Sequence, residues 1–426
     1  MSRLVLLLLL APLALLAEPR PLTLQQAVQL ALRQNPDLLL ARVDAEKAAQ
    51  GVAAARGAFA TQAYAGSGLG WTDGIPQSIE GATPAIVQAS ARRTVYDGAA
   101  LARVKEARAL AEAAGHSAAA REDEAAFQVA VAWLNLDASD RQISVLEERL
   151  PRLRSIEEAI GQRVREGRAL PLEESAARLD RLRTERMTEM ERSRRRSLAA
   201  TLASYLGLDP AEGIDPVGEA PAPADGPADA AASAARAVEQ SPELDGLEAQ
   251  AAAKRFAVRA EKAASKPRLD FVAQYSLLSR FNNYEEFFNR FQRHNGQAGI
   301  ALRVPLFRSR DVSARIGQAE VESRKAELTL EARRSSVAAE SAQAFEAVEQ
   351  AETAQQIARL ELDFSREKVD VALAKMEEGR AALDEVERAR VEESLAWQKL
   401  YDSRYEVERT RLNLLRRTGD LAAMFR

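Results

Sequence analysis

Between residues 97 and 166, apolar side chains recur three and four positions apart: Phe127, Val131, Leu134, Ile143, Leu146, Leu150, Leu153 and Ile156. That spacing keeps one face of an α-helix apolar. Alanine at many of the contact positions lets a neighbouring helix come close. Roughly 70 residues at ~1.5 Å each make a rod of about 100 Å, longer than the core of a compact domain. The stripe is about heptad in density, so the rod needs partner helices. Pro151 has no N–H to give to the helix ladder and is expected to kink or break the rod.

A second pattern has period two. From Gln297 to Leu306, Ala298, Ile300, Leu302, Val304 and Leu306 fall on one face; Gln297, Gly299, Ala301, Arg303 and Pro305 fall on the other. Leu269, Phe271, Ala273, Tyr275 and Leu277 alternate in the same way with Asp270, Val272, Gln274 and Ser276. Ile86 to Tyr96 alternates only in part and puts Arg93 on the outward face, tolerable near a membrane edge where the side chain can snorkel. Such dyads suit transmembrane β-strands, and also an ordinary antiparallel sheet packed on helices. Strand count separates the two. Four strands cannot close a pore, closure takes about eight, and lipid forbids an open edge. If the strands cross a membrane, several chains must share one barrel, and three would supply twelve strands.

The two patterns occur twice, with a period of roughly 210 residues. Ala31-Leu32-Arg33-Gln34-Asn35-Pro36-Asp37-Leu38 is echoed by Ala237-Val238-Glu239-Gln240-Ser241-Pro242-Glu243-Leu244. Each reads as a short helix stopped before proline and a new helix begun by it. Arg92-Arg93-Thr94-Val95-Tyr96-Asp97 is echoed by Leu302-Arg303-Val304-Pro305-Leu306-Phe307, and Glu166-Gly167-Arg168-Ala169 by Glu378-Gly379-Arg380-Ala381. Each half predicts a short helix (23–34; 229–240), a medium helix (36–57; 242–264), two strands (about 59–96; 267–307), a very long helix (about 97–166; 311–378) and a last helix (171–206; 381–418). The domain plan is residues 18–206 as first repeat, 207–227 as a linker rich in Pro, Gly and Asp, and 228–426 as second repeat.

Residues 1–17 read as a secretory signal: Arg3, an apolar run from Leu4 to Leu16, and cleavage after Ala17, with Leu15 an imperfect −3 residue. The alternative is a membrane anchor, but about 14 apolar residues fall short of the ~20 that span a bilayer. The chain has no cysteine, which excludes disulfides, cysteine–metal sites, thiol catalysis and lipid attachment through a cysteine. Charged residues make up 29% with a net charge of −4, so no basic surplus points to nucleic acid. Arg192-Ser193-Arg194-Arg195-Arg196 is a basic run that suits acidic lipid, a partner, or a solvated helix face paired with Glu185, Glu189 and Glu191. His116 and His294 lack neighbours at ligand spacing, so no metal site is expected. Phosphate loops and serine elbows are missing, and Gly66-Ser67-Gly68 is a plain strand segment. No cofactor and no enzyme activity are expected. Aromatics, 5% of the chain, cluster at Phe281–Phe291, as an interfacial girdle, an outer loop, a cap or a loop staple.

Leu22-Thr23-Leu24-Gln25-Gln26-Ala27-Val28, the Asn35-Pro36 step, the two repeats and the glycine turns together resemble the TolC-like outer-membrane efflux protein family, over nearly the whole mature chain. The resemblance implies a mainly α fold with a small β part: a homotrimer whose twelve strands form an outer-membrane β-barrel, continued by a periplasmic α-helical barrel. It implies an outer-membrane channel, embedded in lipid, that meets a periplasmic adaptor and through it an inner-membrane pump. Gly167, Arg168, Ala169, Gly379, Arg380 and Ala381 stand at the family's adaptor-docking tips. Asp384 and Glu385 stand near its entrance, with Glu173 and Glu174 as first-repeat counterparts. Three copies of such a carboxylate would ring the axis and favour cations. Glu387-Arg388 departs from the family's usual Leu-Asp, and Arg388 is expected to pair with Glu385. Two other readings compete: a periplasmic coiled-coil scaffold outside the membrane, which leaves the alternating runs unexplained, and the adaptor itself, which would need a lipoyl-like β-domain.

Overall fold

The computed structural model describes residues 20–68, 85–218, 228–278, 294–306, 310–378, 380–381 and 383–425. The signal segment 1–17 and the aromatic stretch 281–291 lie outside the described residues. In chain order the elements are β1 (Arg20–Leu22), α1 (Leu24–Gln34), α2 (Pro36–Arg56), β2 (Gln62–Gly68), β3 (Ala85–Tyr96), α3 (Gly98–Arg165), α4 (Pro171–Tyr205), β4 (Ile214–Pro216), α5 (Ala230–Gln240), α6 (Pro242–Ala263), β5 (Arg268–Leu278), β6 (His294–Arg303), α7 (Arg310–Glu377), α8 (Leu383–Thr418) and α9 (Leu421–Met424). The helix–hairpin–long helix–last helix plan appears twice, each boundary within a few residues of its expected place. The helix α3 runs without a break through Pro151. The Pro151 carbonyl accepts the Ser155 hydroxyl at 3.2 Å. The expected break is therefore absent.

The chain divides into two compact units. One gathers residues 1–40, 119–241 and 336–426. Its core joins α1, the middle of α3, the end of α4 and the C-terminus, around Val28, Trp133, Leu136, Leu202, Leu206 and Phe425. Local chemistry fixes the chain's path into it. Thr23 and Gln26 form a reciprocal cap at the start of α1, at 3.1 and 3.2 Å. Asn35 then caps α2 by accepting the Leu38 N–H at 3.0 Å and donates to the Tyr205 carbonyl at 2.9 Å. Trp133 donates its indole N–H to the Leu22 carbonyl at 2.8 Å. The stretch after α4 contributes β4, which pairs in parallel with β1, Arg20 opposite Ile214. Alternation over three residues is too short to signal a strand, so this pair escaped the sequence reading. After α4, Gly207 takes a φ of +68°, and a Cβ there would lie 2.6 Å from the Gln34 carbonyl oxygen. Gly419 repeats this after α8, at 2.8 Å from the Gln240 carbonyl oxygen.

Within this unit, ion pairs set the order of the long helices. Arg181 of α4 binds Glu157 of α3 at 2.5 Å, Arg416 of α8 binds Glu124 of α3 at 2.5 Å, and Arg411 of α8 binds Glu352 of α7 at 2.7 Å. The sequence of neighbours is therefore α4, α3, α8, α7.

The second unit, residues 41–118 and 242–335, holds the sheet. Here α6 packs on α3 through Arg103–Glu261 at 3.8 Å and on α7 through Lys262–Glu320 at 2.6 Å. The sheet is antiparallel throughout, in the order β2-β3-β5-β6. Ala63, Ala91, Ala273 and Ala298 stand in register across the four strands. On that face lie Phe271 and Ile300, with Arg93 opposite Phe271. The other face carries Tyr64, Ser90, Gln274 and Gln297 in register. Gln297 donates to Gln274 across it at 3.1 Å. Ile300 is 71% and Leu302 65% exposed, so the apolar face is uncovered among the described residues.

Candidate functional site

The two hairpin turns are built alike. After α3, the Arg168 N–H reaches back to the Arg163 carbonyl at 2.8 Å and Gly167 takes a φ of +73°. That six-residue closure needs a left-handed residue, which glycine supplies without a Cβ penalty. Then α4 restarts at Pro171, with Glu173 accepting the Leu170 N–H at 3.2 Å. After α7, the Arg380 N–H reaches the Lys375 carbonyl at 2.7 Å and the Ala381 N–H the same oxygen at 3.2 Å. Gly379 lies outside the described residues. Arg168 is held by Glu166 at 3.3 Å and Arg380 by Glu378 at 2.9 Å, with both guanidiniums largely exposed. Ala169 and Ala381 are half-buried beside them.

The acidic residues after the second turn separate. Asp384 turns to α3, where Arg163 holds it at 2.9 Å. Glu385, one position on, turns to α7 and meets Lys375 at 3.8 Å. Arg388 reaches Asp384 at 3.9 Å, one helical turn away, rather than Glu385, whose carboxylate faces α7. The expected Arg388–Glu385 pair is therefore replaced by Arg388–Asp384. In the first repeat Glu173 caps α4 and is exposed; Glu174 lies against Gly161, where an added Cβ would come within 3.2 Å of its carboxylate.

Three more residues complete the group, and of these the sequence pointed only to Glu387. Glu387 is buried and binds Arg390 at 3.0 Å. Arg152 donates to the Ser394 hydroxyl at 2.8 Å and to the Arg390 carbonyl at 3.2 Å, and Arg163 holds Asp384. A signal for Arg163 was present: the long helices start and end 212 residues apart, which places Lys375 at its counterpart position. Three arginines of the basic run make ion pairs. Arg192 binds Glu147 and Arg195 binds Asp140, which join α4 to α3, Arg195 also reaches Asp215, and Arg192–Glu189 and Arg194–Glu191 pair within α4.

Higher in the same unit, α3, α4 and α8 enclose a groove of about 490 Å³ lined by Ser139, Glu191, Arg194, Asp402 and Tyr405. Tyr405 donates its hydroxyl to Asp137. Burial, then the hydrogen bond to that carboxylate, pushes the phenol's pKa up. Burial also raises the Asp402 carboxyl, opposed by Arg194 and reinforced by Glu191. Among the described residues no cluster of His, Cys, Asp or Glu has the form of a metal site, and no helix is long and apolar enough to cross a membrane.

Residues 234–420 match the family model described as outer membrane efflux protein. That stretch is the second repeat, and the first repeats its geometry element by element. The second repeat thus resembles the outer membrane efflux protein family. A comparison with curated protein sequences finds no match. The fold is that of a Pseudomonas aeruginosa membrane protein at TM-score 0.76 and 18% identity, over 93% of each chain. It is likewise that of the Vibrio cholerae outer membrane protein VceC, at TM-score 0.77 and 14% identity over 93% of this chain and 96% of that one. The Campylobacter jejuni CmeC outer membrane channel aligns at TM-score 0.78 and 13% identity, over 93% and 85%. The fold of this chain is accordingly that of solved outer-membrane channels.

Proposed function

We propose that this chain is one subunit of a homotrimeric channel that serves as the passive exit duct of a tripartite efflux or secretion system. An inner-membrane pump delivers the cargo through a periplasmic adaptor, and the chain itself carries no catalysis. The observation that supports this most is the two-faced sheet. Phe271, Ile300 and Leu302 line an uncovered apolar face, while Ser90, Gln274 and Gln297 line a polar one. Its outer strands β2 and β6 have no further strand beside them among the described residues. Three copies joined edge to edge place apolar side chains toward lipid and polar ones toward a lumen, and leave no edge open.

In this reading residues 1–17 are removed on export, and segment 207–227 links repeats 18–206 and 228–426. The adaptor docks on the tips formed by Gly167, Arg168, Ala169, Gly379, Arg380 and Ala381. Asp384, Glu385, Arg388, Glu173 and Glu174 surround the entrance. The test is the mass of the complex extracted in detergent from the outer-membrane fraction. A trimer supports the shared barrel. A monomer, or a protein found only in the soluble periplasm, would replace it with the scaffold reading.

A further inference from the structure

The polar face of the sheet becomes cationic at its helix-proximal end. Strand alternation puts Arg92 on the face of Ser90, Arg268 on that of Gln274 and Arg303 on that of Gln297, so the three arginines share one face. They lie where β3 runs toward α3, where β5 begins after α6 and where β6 ends before α7. Arg93 belongs to the apolar face and stands outside the group.

The register sets like charges against each other. Arg268 and Arg303 are directly opposite across β5 and β6. Facing residues of an antiparallel pair hold their Cβ atoms ~4.5–5.5 Å apart, and like charges there are destabilising. The four strands contain one carboxylate, Asp270, on the same face between the rows of Arg92 and Arg268. Its side chain is 3% exposed and pairs with Arg268 at 3.5 Å. The Arg268 Nε is buried with no hydrogen-bond partner. Arg92 and Arg303 are exposed, and among the described residues no carboxylate pairs with either. Asp97, the next acid along from β3, is taken up by the Ala99 and Ala100 N–H groups at 2.8 and 3.1 Å. Facing guanidiniums with so little counter-charge cost the sheet stability, and a bound anion would relieve that cost.

We propose that this end of the polar face is an anion-binding belt, at which Arg92, Arg268 and Arg303 receive the carboxylate or phosphate groups of anionic cargo entering the barrel. The belt rests on the channel reading above, which turns the polar face to the lumen. Three copies triple the charge imbalance around one axis, and low-dielectric walls focus such a field. Each guanidinium offers two parallel N–H groups to a carboxylate or phosphate. The exposure of Arg92 and Arg303 lets a held anion leave again, as conduction requires. The carboxylates read as the entrance oppose this preference little, because Arg163 holds Asp384 and Lys375 meets Glu385.

The test uses the detergent-extracted complex, with inorganic pyrophosphate as the probe. In a planar bilayer under a potassium chloride gradient, pyrophosphate is expected to block the wild-type current. Arg92→Gln with Arg303→Gln is expected to weaken the block roughly tenfold or more, the lower end of what charge focusing supplies, and to move the reversal potential toward that of potassium. Arg93→Gln, on the apolar face, is expected to change neither. Arg92→Lys with Arg303→Lys is expected to keep the reversal potential and lose part of the block, which separates the fork from the charge. Thermal melts give a readout that needs no current: pyrophosphate is expected to raise the wild-type melting temperature and not that of the double glutamine variant. That variant removes one of two facing charges, so it is expected to fold at least as well as wild type. A complex that is trimeric by mass, with the same block, reversal potential and pyrophosphate-dependent melting in wild type and the double glutamine variant, would overturn the belt and leave the channel reading standing. A wild-type complex that is monomeric by mass would overturn both.

Discussion

The Arg163 guanidinium holds the Asp384 carboxylate at 2.9 Å, tying the last turn of one repeat's long helix to the first turn of the other repeat's last helix. Asp384 is largely buried there and Arg163 partly so, which screens the pair less than an exposed one. In the channel reading this link closes the entrance. Arg163→Ala is expected to raise single-channel conductance in a planar bilayer, and Lys375→Ala, which frees the more exposed Glu385, to raise it less. Equal conductance in wild type and Arg163→Ala would remove this link from the entrance.

Asn35 uses both ends of its amide, one on the Leu38 N–H and one on the Tyr205 carbonyl, and is buried. Asn35→Ala loses a helix cap and orphans a carbonyl, for a cost of about 2 kcal/mol or more. Asn35→Asp keeps the cap, cannot donate to Tyr205, and buries a charge. Thermal melts should therefore rank wild type above both variants, with Asn35→Asp recovering as pH falls and its carboxylate protonates.

Gly207 combines a left-handed backbone with a close approach to Gln34. An alanine costs roughly 1–2 kcal/mol for the conformation alone, and its Cβ would overlap a backbone oxygen that cannot swing away. Gly207→Ala is expected to lower the melting temperature clearly. Gly161→Ala should lower it much less, since the atom it meets is the end of the Glu174 side chain.

Ile300 and Gln297 sit three residues apart on opposite faces of β6. Ile300→Lys places a charge on the apolar face, costing about 2–4 kcal/mol at a bilayer midplane. It should reduce recovery from the outer-membrane fraction, whereas Gln297→Lys should be recovered normally and shift ion selectivity toward anions. Equal recovery of the two would mean that the apolar face does not meet lipid.

The Asp402 carboxyl is raised by burial. A carboxyl raised on folding binds its proton more tightly in the native state, so stability falls as pH rises from the unfolded value through the folded one. Asp402→Asn should therefore be more stable than wild type at neutral pH, with the difference closing on acidification. Denaturant melts at the two extremes measure it.

Along the sequence, elements with long repeats of one pattern were legible: the 3–4 spacing of α3, the dyads of β5 and β6, the Asn35-Pro36 step and the glycine turns. Each of these is encoded within a few neighbouring residues, and the duplication printed the proline step and the glycine turn twice. The short strands β1 and β4 were not legible, because three residues carry no period and their pairing joins positions nearly two hundred residues apart. Nor was the partition of Asp384, Glu385 and Arg388 among Arg163, Lys375 and one another. Adjacent residues on a helix point about 100° apart, so which carboxylate meets which cation depends on the helix that packs on each side. Sequence by itself determined the repeat, the rods and the two-faced strands, through local periodicity. Only the tertiary structure decided the order α4, α3, α8, α7 and left Phe364 and Leu182 exposed, because that order is set by side chains far apart in the chain.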